Sequence, residues 1–172
     1  MRAVGAGIPI CHFTYRGWQK GVIWGMAHKN VALRTYLSRV ASEQPESLGI
    51  AKEMVTAKFR NRRVMLRRNH PQPPAMALKE RKRLTGMVEP ADPCGTLLGI
   101  EGEAVRVYFA HSGGMIEAGI YSFDFRTRNR RPPKDPVNAV LPFLHSMLMR
   151  QAVVSAMAVG FEPYKGFHYL RR

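Results

Sequence analysis

Apolar residues recur at helical spacing along most of this chain, and polar or proline-containing segments separate the runs. The first run starts after Asn30, whose side chain can cap a helix, and Ser42–Pro45 ends it. The pattern predicts helices at about residues 30–40, 46–68, 76–87, 97–109 and 137–157. We therefore expect a mainly α fold, with five or six helices around one core. Pro142 lies inside the last helix and should kink or divide it.

Residues 1–27 differ from the rest because they are typical of β-strands. The segments 8–15 and 18–24 are rich in β-branched and aromatic residues, and Arg16 and Gly17 between them favour a turn. This pattern predicts a hairpin. Since an isolated hairpin is only marginally stable in water, it should pack against other parts of the protein.

The helix at 46–68 combines an apolar stripe with many cations. We assign its buried seam to Ile50, Met54, Ala57, Val64 and Met65, with Asn61 on the same side. The remaining surface is cationic, through Lys52, Lys58, Arg60, Arg62, Arg63, Arg67 and Arg68. This surface is either a solvated face or one that contacts phosphate groups.

Composition favours a globular protein with a polyanionic partner. Of the 172 residues 45% are hydrophobic, which is enough for a core, and the formal net charge is +15. Nucleic acid is the usual partner of such a protein. No uninterrupted apolar run reaches the ~18 residues of a membrane span, so we expect no membrane association. The start of the sequence lacks the pattern of a signal peptide, and Cys11 and Cys94 suit reduced thiols in a cytoplasmic protein without a zinc site.

The segment from Arg126 to Asn138 (RTRNRRPPKDPVN) is the most informative part of the sequence. Asp135 followed by Pro136 is a helix start signal, since the aspartate caps and the proline loses no helical hydrogen bond. A stiff Pro-Pro element therefore presents cations just before an apolar helix. These cations are Arg126, Arg128, Arg130, Arg131 and Lys134.

Two residues are candidates for metal chemistry. Glu101 lies on the apolar side of its predicted helix, so its carboxylate must be paired, protonated or bound to a metal. Flanking glycines leave room for a ligand, while a salt bridge to one of the many arginines is the structural alternative. His168 could be a second ligand or an ordinary histidine near the end of the chain.

Several of these motifs, in this order, resemble the CRISPR-associated spacer-acquisition integrase, the first of the Cas proteins. Residues 6–15 resemble the last strand of its N-terminal β-domain, and the context of Gly17 and Trp18 is similar to variants fused to or partnered with the fourth Cas nuclease. The other matching segments are His28–Val31, Ala57–Asn61, Leu98–Gly102, Arg128–Asn138 and Gly160–Phe167.

The resemblance implies a function in CRISPR adaptation. The family is a metal-dependent DNA endonuclease and integrase that inserts new spacers into the CRISPR array, using Mg²⁺ or Mn²⁺. It implies Glu101 and His168 as catalytic metal ligands. The positive charge of the long helix and of the basic segment separately predicts DNA contacts through Lys58, Arg62, Arg126, Arg128, Arg130, Arg131 and Lys134. The resemblance also implies a homodimer that binds a small ferredoxin-like second Cas subunit.

The sequence departs from the family pattern in ways that bear on activity. The slot of the family histidine holds Tyr169, one residue after His168, and the aspartate pair that follows in the family has no counterpart among Asp92, Asp124 and Asp135. We therefore interpret residues 1–27 as a remnant of the β-domain and residues 28–172 as a truncated catalytic-type helical domain. We expect weak or no metal binding and an inactive fragment, so whether this chain is an enzyme stays open. The alternative is a non-catalytic basic helical module that binds nucleic acid.

Overall fold

The fold is mainly α, as predicted. The computed structural model describes residues 2–6, 8–15, 19–25, 30–92, 94–116, 125–129 and 132–167. The α-helices in this part of the chain are α1 (Arg2–Gly5), α2 (Val31–Ser42), α3 (Gln44–Asn69), α4 (Ala75–Gly86), α5 (Cys94–Ser112) and α6 (Pro136–Ala158). A 3₁₀ turn, Gly113–Met115, follows α5.

The chain forms two compact units. One comprises Met1–Gln44 and Val140–Gly166, and the other comprises Pro45–Ala139 and Phe167–Arg172. The domain boundary predicted between residues 27 and 28 falls outside the described residues and stays a prediction.

The first unit contains the predicted hairpin and the first long helix. Strands β1 (Ile10–Phe13) and β2 (Gln19–Ile23) pair antiparallel, with Ile10 opposite Ile23, and the pairing is irregular between His12 and Phe13. The predicted turn residues 16–18 lie outside the described residues. Residues 2–5, expected to be strand-like, form α1 instead.

Asn30 caps α2 as the sequence predicts. Its Oδ1 accepts a hydrogen bond from the Leu33 backbone N–H at 3.1 Å. This bond satisfies one of the N–H groups that lack an intrahelical partner at a helix start.

The second unit has its core between α3, α4 and α5. Ala51, Val55 and Phe59 of α3 belong to this core, and Phe59 is fully buried. They pack with Leu84 of α4. The other members are Val88, Ala91, Leu97, Ile100 and Ala104.

The predicted seam of α3 is therefore wrong. Met54 and Met65 are about half exposed, at 58% and 48%, and Asn61 is exposed as well. Two apolar stripes run along α3 at helical spacing, and periodicity does not choose between them. The stripe with Phe59 is buried because an aromatic ring removes the largest apolar area from water.

Helix α6 continues through Pro142 without being divided. On length and composition alone α6 could cross a membrane, and the core helix of a soluble protein passes the same test. Only 6% of its most apolar window is buried, and exposed side chains include Phe143, Leu144 and Leu148. The predicted absence of membrane association stays a prediction.

The corrected seam predicts unequal effects of two substitutions in α3. Phe59→Ala should lower the free energy of unfolding by about 3–5 kcal/mol, because it leaves a cavity in the core. Met54→Ala, five residues earlier on the exposed side, should change it by about 0.5 kcal/mol or less. Urea denaturation followed by circular dichroism measures both, and similar losses would contradict the seam seen here.

Candidate nucleic-acid interface and the Glu101 site

The basic segment is held in place by the side chain of Asn138, which is fully buried. Its Oδ1 accepts hydrogen bonds from the Asn129 backbone N–H and from the Arg128 guanidinium, both at 2.9 Å. Its Nδ2 donates to the Thr127 carbonyl at 2.8 Å and to Asp135 Oδ2 at 2.6 Å. All four hydrogen-bonding positions of the amide are therefore used. One side chain thus fixes both ends of the loop that precedes α6.

Asp135 caps α6 as predicted. Its Oδ1 accepts from the Asn138 backbone N–H at 2.7 Å, and its carbonyl accepts the first helical bond, from Ala139. Desolvation alone would raise the pKa of Asp135, but hydrogen bonds from Asn138 and Asn129 outweigh it and hold the pKa below its ordinary value. The carboxylate is therefore stabilised in its charged form.

The cations of the segment fall into different environments. Arg126 and Lys134 are exposed. Arg128 is half-buried and donates a hydrogen bond to the side chain of Asn138. Arg130 and Arg131 lie outside the described residues. The structure thus presents Arg126 and Lys134 towards solvent from a fixed loop.

Arg128 also approaches a carbonyl that the helix leaves unpaired. Pro142 has no N–H, so it cannot bond the carbonyl four residues earlier, which belongs to Asn138. The Arg128 guanidinium donates to that carbonyl at 3.4 Å. This contact offsets part of the cost of a proline inside α6.

Glu101 is buried on α5, with 8% of its surface exposed, and it forms an ion pair with Lys58 of α3. Lys58 is thus one partner of the carboxylate. Burial lowers the pKa of Arg62 and the charge of Glu101 partly opposes this shift, so an arginine interacts with the carboxylate as well. Burial of a carboxylate requires such compensation. The pair also means that Lys58, predicted to contact DNA, already contacts a carboxylate here.

The described residues do not fit a divalent metal centre by themselves. They contain no group of three His, Cys, Asp or Glu side chains that could hold a metal ion. Mg²⁺ and Mn²⁺ require several oxygen ligands, and the Lys58 ammonium already neutralises the Glu101 carboxylate. His168, the predicted second ligand, lies outside the described residues.

Arg81 of α4 is a structural residue that the sequence analysis missed. It is fully buried and donates to the Ala104 carbonyl on α5 at 2.5 Å and to the Phe59 carbonyl on α3 at 3.1 Å. Desolvation, followed by the nearby Arg62 charge, lowers the pKa of Arg81 to about 10. Arg81 stays cationic at neutral pH. Its position between Ala77 and Leu84 on the buried stripe of α4 is the signal that could have revealed it.

Arg62, a predicted DNA contact, lies one turn after Lys58 on α3. It is half-buried, and its guanidinium lies over the ring of Tyr108 at 5.2 Å and that of Phe109 at 5.9 Å. Unlike the exposed cations of α3, it faces the side of the helix that carries Lys58.

Comparison with protein families gives a match over nearly the whole chain. The family model for CRISPR associated protein Cas1 matches residues 2–172. A CRISPR-associated exonuclease Cas4/endonuclease Cas1 fusion from Geobacter sulfurreducens is 38% identical over 96% of this chain and 31% of its own length. CRISPR-associated endonuclease Cas1 2 from Rhodospirillum rubrum is 34% identical over 94% of this chain and 49% of its own length. The chain thus spans from 31% to 49% of the length of these relatives.

Solved structures give the same result. A chain of a partial Cas6-RT-Cas1–Cas2 complex matches with a TM-score of 0.76 at 25% identity, over 99% of this chain and 52% of its own. A Cas1 protein from Thermotoga maritima matches with a TM-score of 0.80 at 23% identity, over 98% of this chain and 52% of its own. The second likeness concerns the fold alone.

Removing the Asn138 amide should destabilise the protein. Asn138→Ala leaves the Thr127 carbonyl and the Asn129 N–H without the side chain that bonds them, at a cost of about 1–3 kcal/mol. Asn61→Ala removes the same amide from an exposed position and should cost about 0.5 kcal/mol or less. Chemical denaturation gives both values, and limited proteolysis should show faster cleavage near residue 129 in Asn138→Ala alone. Equal stability of the two variants would contradict the role of Asn138.

The lowered pKa of Asp135 predicts a pH-dependent contribution to stability. Because the folded-state pKa lies below the unfolded value, the contribution is present above the unfolded pKa and is lost as pH falls through the folded pKa. Wild type should therefore be more stable than Asp135→Asn at pH 6, and the difference should shrink below about pH 4. Thermal denaturation of both proteins across this range measures it. A difference that stays constant with pH would show that the charge of Asp135 does not matter.

Proposed function

We propose that this chain, which belongs to the Cas1 family, acts in CRISPR adaptation as a part that binds DNA. Family membership supports the adaptation role. The observation that carries DNA binding is the loop held by Asn138, which presents Arg126 and Lys134 to solvent in a defined conformation. The net charge of +15 is consistent with a polyanionic ligand.

The partners in this proposal are those of the family. Some relatives are Cas4/Cas1 fusions, and one matching structure is named as a complex that contains Cas2. We infer that this chain acts as a homodimer with the second Cas subunit, and with the fourth Cas nuclease in systems that have one. DNA of the protospacer and of the CRISPR repeat is the proposed ligand, in the cytoplasm.

For catalysis, the proposed ligands of Mg²⁺ or Mn²⁺ are Glu101 and His168. A bound divalent cation would stabilise charge on phosphate oxygens. The Glu101 environment described above does not fit such a cation, because Lys58 already compensates the carboxylate. We therefore propose that this polypeptide by itself has little or no metal-dependent nuclease activity.

A non-catalytic basic module is the second candidate function. The Lys58–Glu101 pair favours it, because it gives the buried carboxylate a partner that stabilises the fold. The two candidate functions predict different effects of replacing Glu101. A catalytic role makes Glu101 necessary for cleavage but not for DNA binding, whereas a structural role makes it necessary for stability alone.

DNA binding is tested by fluorescence anisotropy with a labelled duplex across a salt series. Each phosphate contact that is lost should reduce the slope of log K against log salt by about 0.9. We expect this reduction for Arg126→Ala and for Lys134→Ala. Lys79→Ala removes one exposed charge from α4 and should leave the slope unchanged. If all three variants behave alike, the fixed loop is not the DNA contact.

The same preparations test for cleavage with a branched DNA and Mn²⁺. We expect little or no product from the wild-type chain. Robust cleavage that Glu101→Ala abolishes would overturn the proposal that this chain does not cleave DNA and would make Glu101 a catalytic residue. Glu101→Ala should be compared with wild type for DNA affinity in the same buffer.

A further inference from the structure

Helices α3 and α4 border an open groove of about 640 Å³ on the second unit. Two hydrogen bonds show how the helices run along it. Lys52 Nζ of α3 donates to the Glu89 carbonyl just after α4, at 2.6 Å, and Arg81 of α4 donates to the Phe59 carbonyl of α3, at 3.1 Å. An early residue of α3 thus meets a residue after the end of α4, so the two helices are antiparallel.

The charges that line this groove are sorted by sign along its length. Glu53 and Glu89 line one end, and Arg60, Arg63 and Lys82 line the other. An α-helix rises about 1.5 Å per residue, so Glu53 and Arg60 are about 10 Å apart along the axis of α3. The groove therefore has an acidic end and a basic end.

These charges are not used to hold the helices together. Among the ion pairs that join described residues, none includes a charged side chain of the groove, whereas Glu80 and Arg83 on α4 pair at 2.6 Å. Lys52 lies beside the acidic end, where its ammonium bonds the Glu89 carbonyl, and two carboxylates against one ammonium leave that end negative. Charges of both signs are thus available to a ligand.

A peptide fits this arrangement better than a nucleic acid does. The phosphates of a nucleic acid are all negative, so the acidic end of the groove would repel them. A peptide can carry both signs and also has backbone donors. Thr56 and Thr85 are half-buried between the two ends. The Thr85 hydroxyl donates to the Arg81 carbonyl at 2.7 Å, which leaves its oxygen able to accept from a peptide N–H.

We propose that the groove is the docking site for an extended segment of a partner protein with a matching charge pattern. Its acidic side chains meet the basic end, and its basic side chains, three residues further along, meet the acidic end, since three extended residues span about 10 Å. Complementary charges of this kind fix the partner and its direction more than they raise affinity. The proposal is independent of DNA binding, because the acidic end has no favourable contact with phosphate.

The probe for this site is the peptide Glu-Glu-Ser-Ser-Lys-Lys, titrated to millimolar concentration into the ¹⁵N-labelled chain. The salt concentration is about 150 mM, at which long-range attraction to the basic surface is largely screened. Backbone amide signals of residues 53–63 and 82–89 should shift. The uniformly acidic peptide Glu-Glu-Ser-Ser-Glu-Glu should bind more weakly, because the acidic end repels it. The spectra also show whether each variant is folded.

Substitutions at the two ends should have opposite effects on peptide and DNA. Glu53→Gln combined with Glu89→Gln should weaken the mixed-charge peptide about two- to fivefold for each charge removed, the range of exposed ion pairs. The same double variant should bind a DNA duplex as tightly as wild type or more tightly. Arg63→Gln should weaken the peptide to a similar extent. Glu46→Gln and Arg67→Gln, which remove exposed charges of α3 outside the groove, should not.

Three results would overturn the proposal. The first is that the mixed-charge peptide shifts no groove signals. The second is that the glutamate double variant binds this peptide as tightly as wild type does. The third is that the uniformly acidic peptide binds wild type at least as tightly as the mixed one, which would make the groove a general anion surface of the kind that nucleic acid contacts. None of these results depends on whether the chain binds DNA.

Discussion

A buried guanidinium sets the arrangement of the second unit. Arg81 of α4 has no exposed surface, so its two terminal nitrogens need acceptors inside the protein, and the carbonyls of Ala104 and Phe59 supply them, while its Nε has no hydrogen-bond partner among the described residues. The carbonyls of Phe59 and Ala104 lie inside helices α3 and α5. Because a carbonyl oxygen has two lone pairs, each can accept a hydrogen bond along its own helix and a second one from Arg81. The three helices are consequently fixed by directional bonds as well as by apolar packing. Lys58 precedes Phe59 by one residue and Glu101 precedes Ala104 by one turn, so the same bonds bring that ion pair into register.

The loop before α6 follows the same physical rule with a neutral group. Asn138 is as deeply buried as Arg81. Its amide oxygen accepts hydrogen bonds from Arg128 and Asn129, and its amide nitrogen donates to Thr127 and Asp135, so all four positions of the amide are used. A loop with four arginines and a lysine would otherwise repel itself. Hydrogen bonds to one buried side chain therefore hold the described residues 127–129 and 135 of this like-charged loop in place. In both places a buried polar side chain fixes the positions of nearby charged residues.

Local signals in the sequence predicted local structure well. Asn30 and Asp135 were recognisable as caps because their side chains act on backbone groups three residues away. The helices and the hairpin follow from spacing and turn residues in the same way. The stripe of α3 was not predictable from periodicity, since Phe59 and Met54 both belong to sets with helical spacing. The roles of Arg81 and Asn138, and the pairing of Lys58 with Glu101, depend on residues far apart in sequence. Family resemblance located Glu101 and the basic loop, but it did not give their hydrogen-bond partners.

Pro142 has a consequence for how this sequence can change over evolution. The proline leaves the Asn138 carbonyl available, and Arg128 donates to it. Replacing the proline by a residue with an N–H group would return that carbonyl to the helix and remove one anchor of the arginine. Conversely, loss of the arginine would leave the carbonyl unpaired while the proline remained. We therefore expect substitutions at the two positions to have non-additive effects on stability.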